Sequence, residues 1–279
     1  MIDVAVIGAG PAGLSAAINV LQRNKTVEIL GRSPKTSLLF AAENVDNYLG
    51  MQNVTGEELI NSFYNHAIEK GAKIRECKVS QIMPFGEGFM INIGDDIIQA
   101  KTIILALGIS RGKTIENEEN MIGKGVSYCA TCDGMLYKNK TVVVIGDSYE
   151  AESDVNFLSE LCSKVYYLPL YKEEINVNDS VEIISGKAEK VLGNDVVSGI
   201  MIDGKEINCD GIFFIKQSIP LKSLINGLEI KNGSVVVDRD MQTNIKGIFA
   251  AGDCTGKPYQ ISKAVGEGLI AGQNAVRDV

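Results

Sequence analysis

The chain has 279 residues, 45% of them hydrophobic, which is enough apolar material for one large α/β domain or two ordinary ones and excludes a disordered or fibrous chain. Its 27 Lys and Arg against 35 Asp and Glu leave a net charge of −8, which argues against a nucleic-acid binder and obliges any acidic partner to find a local basic patch. Apolar runs such as residues 142–145 and 212–215 are far too short to span a bilayer, and Met1 leads almost directly into a strand-like segment, so the expectation is a soluble cytoplasmic protein without a signal peptide.

The N-terminal segment reads strand over 4–7, the turn Gly8-Ala9-Gly10-Pro11-Ala12-Gly13, helix over 14–22 and strand over 26–30. This is a dinucleotide-binding βαβ: Gly8 permits the tight turn, Gly10 lets backbone approach a pyrophosphate, and Gly13 allows close helix packing, with the helix N-terminus facing the phosphate charge. The acidic residue usual at the end of the second strand is absent, since Leu30 is followed by Gly31 and Arg32. A helix over about 55–70 carries His66, the one histidine, read as an ordinary helix residue. Residues 78–100 alternate and are punctuated by glycine, as antiparallel strands do, and a buried strand over 102–107 ends at Gly108.

Cys129 and Cys132 form the one CxxC, while Cys77, Cys162, Cys209 and Cys254 stand alone and read as buried packing residues. No histidine or second Cys pair lies near the CxxC, which disfavours a zinc knuckle or an iron–sulfur cluster, and no metal is expected. The strand, turn, helix, strand pattern then recurs, with a strand over 142–145, a helix through 161 and a strand over 165–168. In this second copy Gly8, Ala9, Gly10 and Gly13 become Gly146, Asp147, Ser148 and Ala151. Ser148 brings a side chain where a pyrophosphate should approach, and Asp147, Glu150, Glu152 and Asp154 are expected to satisfy the helix start themselves. Strands over 181–184, 196–202 and 212–215 are expected to continue that sheet, followed by a strand over 247–251, Gly252-Asp253, and a helix over about 260–277.

Gly8 to Gly13, Ala106-Leu107-Gly108, Ser127-Tyr128-Cys129-Ala130-Thr131-Cys132-Asp133-Gly134 and Gly252-Asp253 together resemble the low-molecular-weight thioredoxin reductases over the whole chain. Val45-Asp46-Asn47-Tyr48-Leu49-Gly50 resembles that family's segment beside the flavin, and Gln260-Ile261 its flavin-contacting step at the last helix. The resemblance implies an α/β chain of two Rossmann-like, three-layer (ββα/βαβ) nucleotide-binding folds, the second inserted into the first. Residues 1–111 and 241–279 would bind FAD non-covalently, and residues 112–240 would carry a redox disulfide on a degenerate NAD(P)H-type fold, the whole forming a homodimer.

Gly8, Gly10, Pro11, Ala12, Gly13, Asn47, Gly108, Gly252, Asp253, Gln260 and Ile261 are the expected FAD residues, with a plain turn role as the alternative for Asp253. By the same resemblance Cys132 exchanges electrons with the flavin and Cys129 attacks the thioredoxin disulfide. Asp133 is the candidate acid for the leaving thiol, with a turn or cap role as the alternative. Tyr259 stands where the family has Arg, and its role is left open.

The family's His-Arg-Arg step and further Arg for the NADPH 2′-phosphate are missing: the matching strand ends Leu168-Pro169-Leu170-Tyr171-Lys172-Glu173-Glu174, and no arginine occurs from Gly112 to Asp238. Residues 33–38 replace the family's Gly-Gly-Gln-Leu segment. A thioredoxin reductase body without an NADPH site resembles the ferredoxin-dependent flavin thioredoxin reductases of anaerobic bacteria, so ferredoxin is the expected donor and thioredoxin the acceptor. An NADPH-dependent thioredoxin-disulfide reductase is the alternative, and a redox-inert FAD-binding module a third reading. Ferredoxin would need a basic area, for which Arg111, Lys113, Lys124, Lys138 and Lys140 are candidates.

Overall fold

In the computed structural model, which describes residues 1–37, 39–94, 96–108, 114–215, 221–277 and 279 apart from the side chains of Cys132 and Lys222, β1 (Ile2–Ile7) turns through glycine into α1 (Pro11–Leu21). Pro11 occupies the first helical position, where its missing N–H would have had no helix partner. Next come β2 (Val27–Gly31) and α2 (Gly56–Glu69). The start of α2 is a reciprocal cap: Glu58 N–H donates to Thr55 Oγ1 at 3.1 Å and Thr55 N–H to Glu58 Oε2 at 2.8 Å. β3 (Lys73–Glu76), β4 (Gln81–Phe85), β5 (Gly88–Ile93) and β6 (Asp96–Leu105) complete this stretch. β3 is an edge strand of mostly charged residues with no apolar alternation, so it leaves no mark in the sequence pattern.

The separate strand expected over 102–107 is corrected. β6 is one strand whose first half pairs antiparallel with β5 (Ile91↔Ile98) and whose second half pairs parallel with β1 (Val6↔Ile104). Its burial changes with its partners, alternating in the outer half and continuous over residues 102–105.

The middle of the chain forms β7 (Val126–Ser127), α3 (Ala130–Asp133), β8 (Thr141–Gly146), α4 (Ala151–Leu161), β9 (Lys164–Pro169), β10 (Val181–Ile183), β11 (Ala188–Gly193), β12 (Val197–Ile202), β13 (Lys205–Asn208) and β14 (Gly211–Ile215). The parallel sheet has the order β10-β9-β8-β14-β7. The segment over 196–202 does not continue it, contrary to the expectation. β12 pairs antiparallel with β11 and β13 in a separate three-stranded sheet, because the Asp203-Gly204 turn returns the chain on itself. The chain ends with α5 (Leu221–Leu224), the hairpin β15 (Ile230–Lys231) and β16 (Ser234–Val235), β17 (Ile248–Ala250) and α6 (Ile261–Ala275). β17 joins the first sheet beside β6, whose order is otherwise β3-β2-β1-β6-β5-β4.

By packing, the chain divides into Met1–Ser110 with Leu224–Val279, and Arg111–Ser223. Arg111, near which the first crossing was expected, lies outside the described residues. The return falls earlier than Asp240. Residues 224–240 are tied to the C-terminal segment: Glu229 N–H donates to Asn244 Oδ1 at 2.9 Å, Asn244 Nδ2 to the Gly227 carbonyl at 2.8 Å, and Asn274 Nδ2 to the Asp240 carbonyl at 3.0 Å.

In the first unit α1 and α6 pack backbone to backbone. A Cβ on Gly268 would lie 2.2 Å from the Ala12 carbonyl oxygen and one on Gly272 2.6 Å from that of Ala16, so two small residues one turn apart on each helix set the approach. The core is closed below by Val4, Val6, Ile29 and Ile104, all fully buried. In the second unit Val142, Val144, Leu158 and Phe213 fill one face of the sheet and Val143, Ile145, Val191 and Ile200 the other.

One polar tie joins β1, β2 and β6. Lys101 Nζ donates to Asp3 Oδ1 at 2.8 Å while Thr26 N–H donates to Asp3 Oδ2 at 2.9 Å, and Lys101 first, then Thr26, holds the Asp3 carboxyl down to about 2. A depressed carboxyl contributes stability above its unfolded value and loses it as pH falls toward the folded one. Urea unfolding of Asp3→Asn should therefore show a shallower loss of stability than the wild type between about pH 4 and pH 2, converging with it at the acid end; parallel curves would remove Asp3 from the acid response.

Candidate active site

The first unit builds a cradle at the C-terminal ends of its parallel strands. Gly8 has φ 118° and its N–H donates to the Leu30 carbonyl; a Cβ there would strike the Ala106 carbonyl oxygen at 2.2 Å. A Cβ on Gly13 would lie 1.9 Å from the Gly8 carbonyl oxygen, whereas one on Gly10 would meet nothing within 4 Å. Gly10 is thus the glycine of the three that opens space beside the backbone. It is also the N-cap of α1, extended and without a side-chain cap, and the first helical bond to its carbonyl comes from Leu14 at 3.0 Å. The amides of Ala12 and Gly13 stand in the first turn, where a helix has no carbonyls to offer them, so an anion of pyrophosphate shape fits there.

The other expected flavin residues converge on the same unit. Asn47 Nδ2 donates to Gln260 Oε1 at 3.0 Å, joining two positions far apart in sequence, with Gln260 as the N-cap of α6 and Ile261 its first residue. Gly108 lies just past β6 with φ 68°, and Gly252-Asp253 just past β17. Sequence reasoning missed the groups that hold this last turn. Lys263 Nζ donates to the carbonyls of Gly252 and Gly256 and reaches Thr255 Oγ1, each at 2.8 Å. Glu267 Oε2 accepts from Gly252 N–H and Thr255 Oγ1, both at 2.8 Å, and pairs with Lys263 at 3.1 Å. The signal was present as a Lys and Glu four residues apart among residues 261–272, which are otherwise small or apolar. Burial pushes the Asp253 carboxyl up, while Lys263 draws it down.

In the second unit β7 delivers Ser127 next to the CxxC. Cys129 is held in a disulfide, and Cys77, Cys162, Cys209 and Cys254 are free thiols. Cys209 and Cys254 are buried, as expected of packing residues, but Cys77 and Cys162 are half-buried. Cys132 belongs to α3, and its side chain is outside the described residues. Asp133 Oδ2 accepts from Ser127 Oγ at 2.7 Å, and Cys129 N–H donates to the same Oγ at 3.1 Å. Behind them Tyr128 is buried, donates to Glu118 Oε1 at 2.6 Å and stacks on Phe214. Burial and then Glu118 push its phenol upward. Among the described residues no cluster of His, Cys, Asp or Glu is arranged to hold a metal ion.

The second glycine turn has a different entrance from the first. Ala151 N–H bonds the Ser148 carbonyl at 3.1 Å and Glu152 N–H that of Tyr149 at 3.0 Å, and Glu150 at the cap makes no side-chain cap bond. At Ala151 and Glu152 the expectation that carboxylates would take the amides is corrected: the turn's own carbonyls take these two, because residues 148–152 tighten into helical turns. Tyr171 Oη donates to Glu152 Oε1 at 2.6 Å and Tyr167 Oη to Tyr171 Oη at 2.9 Å. A Cβ on Gly146 would meet that Tyr167 hydroxyl at 2.7 Å.

Loss of the turn clamp has a direct readout. Lys263→Met should weaken FAD binding to the apoprotein by about 10- to 100-fold, the worth of one to two charge-assisted hydrogen bonds, in a fluorescence titration. An unchanged dissociation constant would mean that the Gly252–Gly256 turn holds its shape without Lys263.

The family profile described as pyridine nucleotide-disulphide oxidoreductase matches residues 2–268. The thioredoxin reductase of Listeria monocytogenes serovar 1/2a is 32% identical over 300 residues, covering 99% of this chain and 93% of the relative, and that of Bacillus subtilis strain 168 is 31% identical over 98% and 93%. Among solved structures, a ferredoxin-flavin thioredoxin reductase from Clostridium acetobutylicum superposes with a TM-score of 0.89 at 43% identity, over 99% of this chain and 97% of that one. With an open glycine cradle in one unit and a CxxC carried by the other, the chain belongs to the pyridine nucleotide-disulphide oxidoreductase family and, within it, to the thioredoxin reductases.

Proposed function

We propose that this thioredoxin reductase takes its electrons from reduced ferredoxin through FAD and delivers them by way of Cys132 and Cys129 to the disulfide of thioredoxin. The observation that carries the choice of donor is the self-bonded entrance to α4. A nicotinamide dinucleotide needs helix N-terminal amides for its pyrophosphate and a cation for any 2′-phosphate. Here Ala151 and Glu152 have spent their amides on the turn, Tyr171 and Glu152 bond across the end of β9, and no arginine lies between residues 112 and 238. The Clostridium relative named for ferredoxin supports the same reading. NADPH as donor is the alternative, favoured by the relatives named simply as thioredoxin reductases.

The open side of Gly10 and the first turn of α1 fit the pyrophosphate of FAD, with Asn47, Gln260, Gly108 and Asp253 as its further contacts. Bound FAD accepts electrons singly and passes them on as a pair, which reconciles a one-electron donor with a two-electron disulfide. The energetics allow it: low-potential ferredoxins near about −400 mV and thioredoxin near about −270 mV leave the two-electron transfer downhill by roughly 6 kcal/mol. In the thiol exchange Asp133 holds the proton that the leaving thiolate takes up. For docking an acidic donor, Lys124, Lys138 and Lys140 are exposed on the second unit, and Arg111 and Lys113 lie outside the described residues. The homodimer and the cytoplasmic setting belong to the same proposal, the latter supported by four cysteines left as free thiols.

Two experiments test this reading. Offered separately under anaerobic conditions, reduced ferredoxin should bleach the flavin while NADPH and NADH leave it oxidised. Rapid bleaching by stoichiometric NADPH with no response to ferredoxin would restore the nicotinamide-dependent enzyme. In turnover, Cys129→Ser should keep an interaction between the flavin and the Cys132 thiolate, read as a perturbed flavin spectrum, yet reduce thioredoxin only at the background rate. Cys132→Ser should lose both, and identical spectra in the two variants would undo the assignment of their roles.

A further inference from the structure

Ser127 holds three positions at once. Its Oγ lies 2.7 Å from Asp133 Oδ2, 3.1 Å from the Cys129 amide nitrogen and 3.2 Å from the Cys129 carbonyl oxygen. The residue is 5% exposed, and β7 fixes its backbone through parallel pairing with buried β14, Phe213 opposite Ser127. A hydroxyl has one proton to give and lone pairs to receive with. The Cys129 N–H occupies a lone pair, so the single proton must choose between the Asp133 carboxylate and the Cys129 carbonyl. At 2.7 Å against 3.2 Å the carboxylate wins, as charge-assisted hydrogen bonds do.

We propose that Ser127 is a positioning residue for Asp133: it aims the carboxyl at the exchanging sulfurs and stabilises the carboxylate that remains once the proton has gone. The proposal rests on the reading of Asp133 as the acid. In the step concerned, the Cys129 thiolate attacks one sulfur of the thioredoxin disulfide. A mixed S–S bond forms as thioredoxin's own S–S bond breaks, and the departing thiolate takes the proton of the Asp133 carboxyl. Asp133 is then charged, and the Ser127 O–H donates to it. Before transfer the neutral carboxyl does not need that proton, and the hydroxyl can turn to the Cys129 carbonyl 3.2 Å away, so charge on Asp133 and the hydrogen bonding of the Cys129 backbone change together.

The test uses FAD-loaded enzyme reduced with dithionite and mixed with oxidised thioredoxin, so that it does not depend on which donor works in turnover. Ser127→Ala should slow thioredoxin reduction by about 10-fold, the worth of one hydrogen bond to a charged group, while the rate of flavin reduction stays at the wild-type value. The solvent deuterium isotope effect on the slowed step should rise, Ser127→Thr should restore the rate, and removing the hydroxyl in an Asp133→Asn background should change nothing further. Should Ser127→Ala fail to fold, Ser127→Cys, of near-equal size with a weak donor, carries the same readouts. Effects of Ser127→Ala and Asp133→Asn that simply add, or a wild-type rate in Ser127→Ala, would overturn the proposal while leaving Asp133 as acid. A wild-type rate in Asp133→Asn would remove the acid itself, and the proposal with it.

Discussion

A backbone amide at the start of a helix can serve one acceptor, and the two βαβ units of this chain spend that capacity in opposite ways. In the first, Gly10 keeps the chain extended until α1 begins and has open space beside it, Pro11 has no amide to offer, and those of Ala12 and Gly13 have no helix carbonyl to take them. In the second, residues 148–152 coil one turn early and Ala151 and Glu152 donate to Ser148 and Tyr149. Similar strands and helices therefore yield one cradle for a phosphate and one closed turn, over which Tyr167 and Tyr171 extend a hydroxyl chain to Glu152. The cofactor cradle of the first unit and the electron donor proposed for the enzyme both depend on this difference.

The cradle is held from the far end of the chain. Gly268 and Gly272 let α6 approach α1 at backbone distance, which carries the start of α6, with Gln260, to a hydrogen bond with Asn47. The same helix presents Lys263 and Glu267 to the Gly252–Gly256 turn, where the ammonium takes carbonyls and the carboxylate takes an amide and a hydroxyl. An ion pair so shielded, with its remaining valences filled by backbone, acts on geometry more than on net stability.

The redox segment obeys a parallel logic at smaller scale. β7 is two residues long, yet its pairing with β14 anchors Ser127, whose hydroxyl ties Asp133 to the backbone of Cys129. The buried Tyr128 and Glu118 pair and the packing of Gly134 against Phe157 and Leu158 fix the segment on either side of the CxxC. The outcome is a CxxC segment without a histidine, in which the Asp133 side chain bonded to Ser127 is the group proposed above to supply the proton.

Local pattern alone determined much of this protein. Glycine spacing marked the first βαβ, short apolar runs marked buried parallel strands, and Cys129 with Cys132 marked the redox pair, because each depends on neighbours within a few residues. Partnership across the chain was decided only by tertiary structure. β6 read as two segments because its two halves meet different strands, β12 was assigned to the wrong sheet because an alternating run does not name its partner, and β3 was silent because an edge strand of charged residues buries almost nothing. The carboxylates around the start of α4 suggested caps, but backbone carbonyls took the amides of Ala151 and Glu152 once the turn tightened, a matter of φ and ψ that composition does not encode. Lys263, Glu267 and Ser127 likewise gained their roles from the groups that folding placed within hydrogen-bond reach of them, since a hydrogen bond is a property of distance and direction before it is a property of residue type.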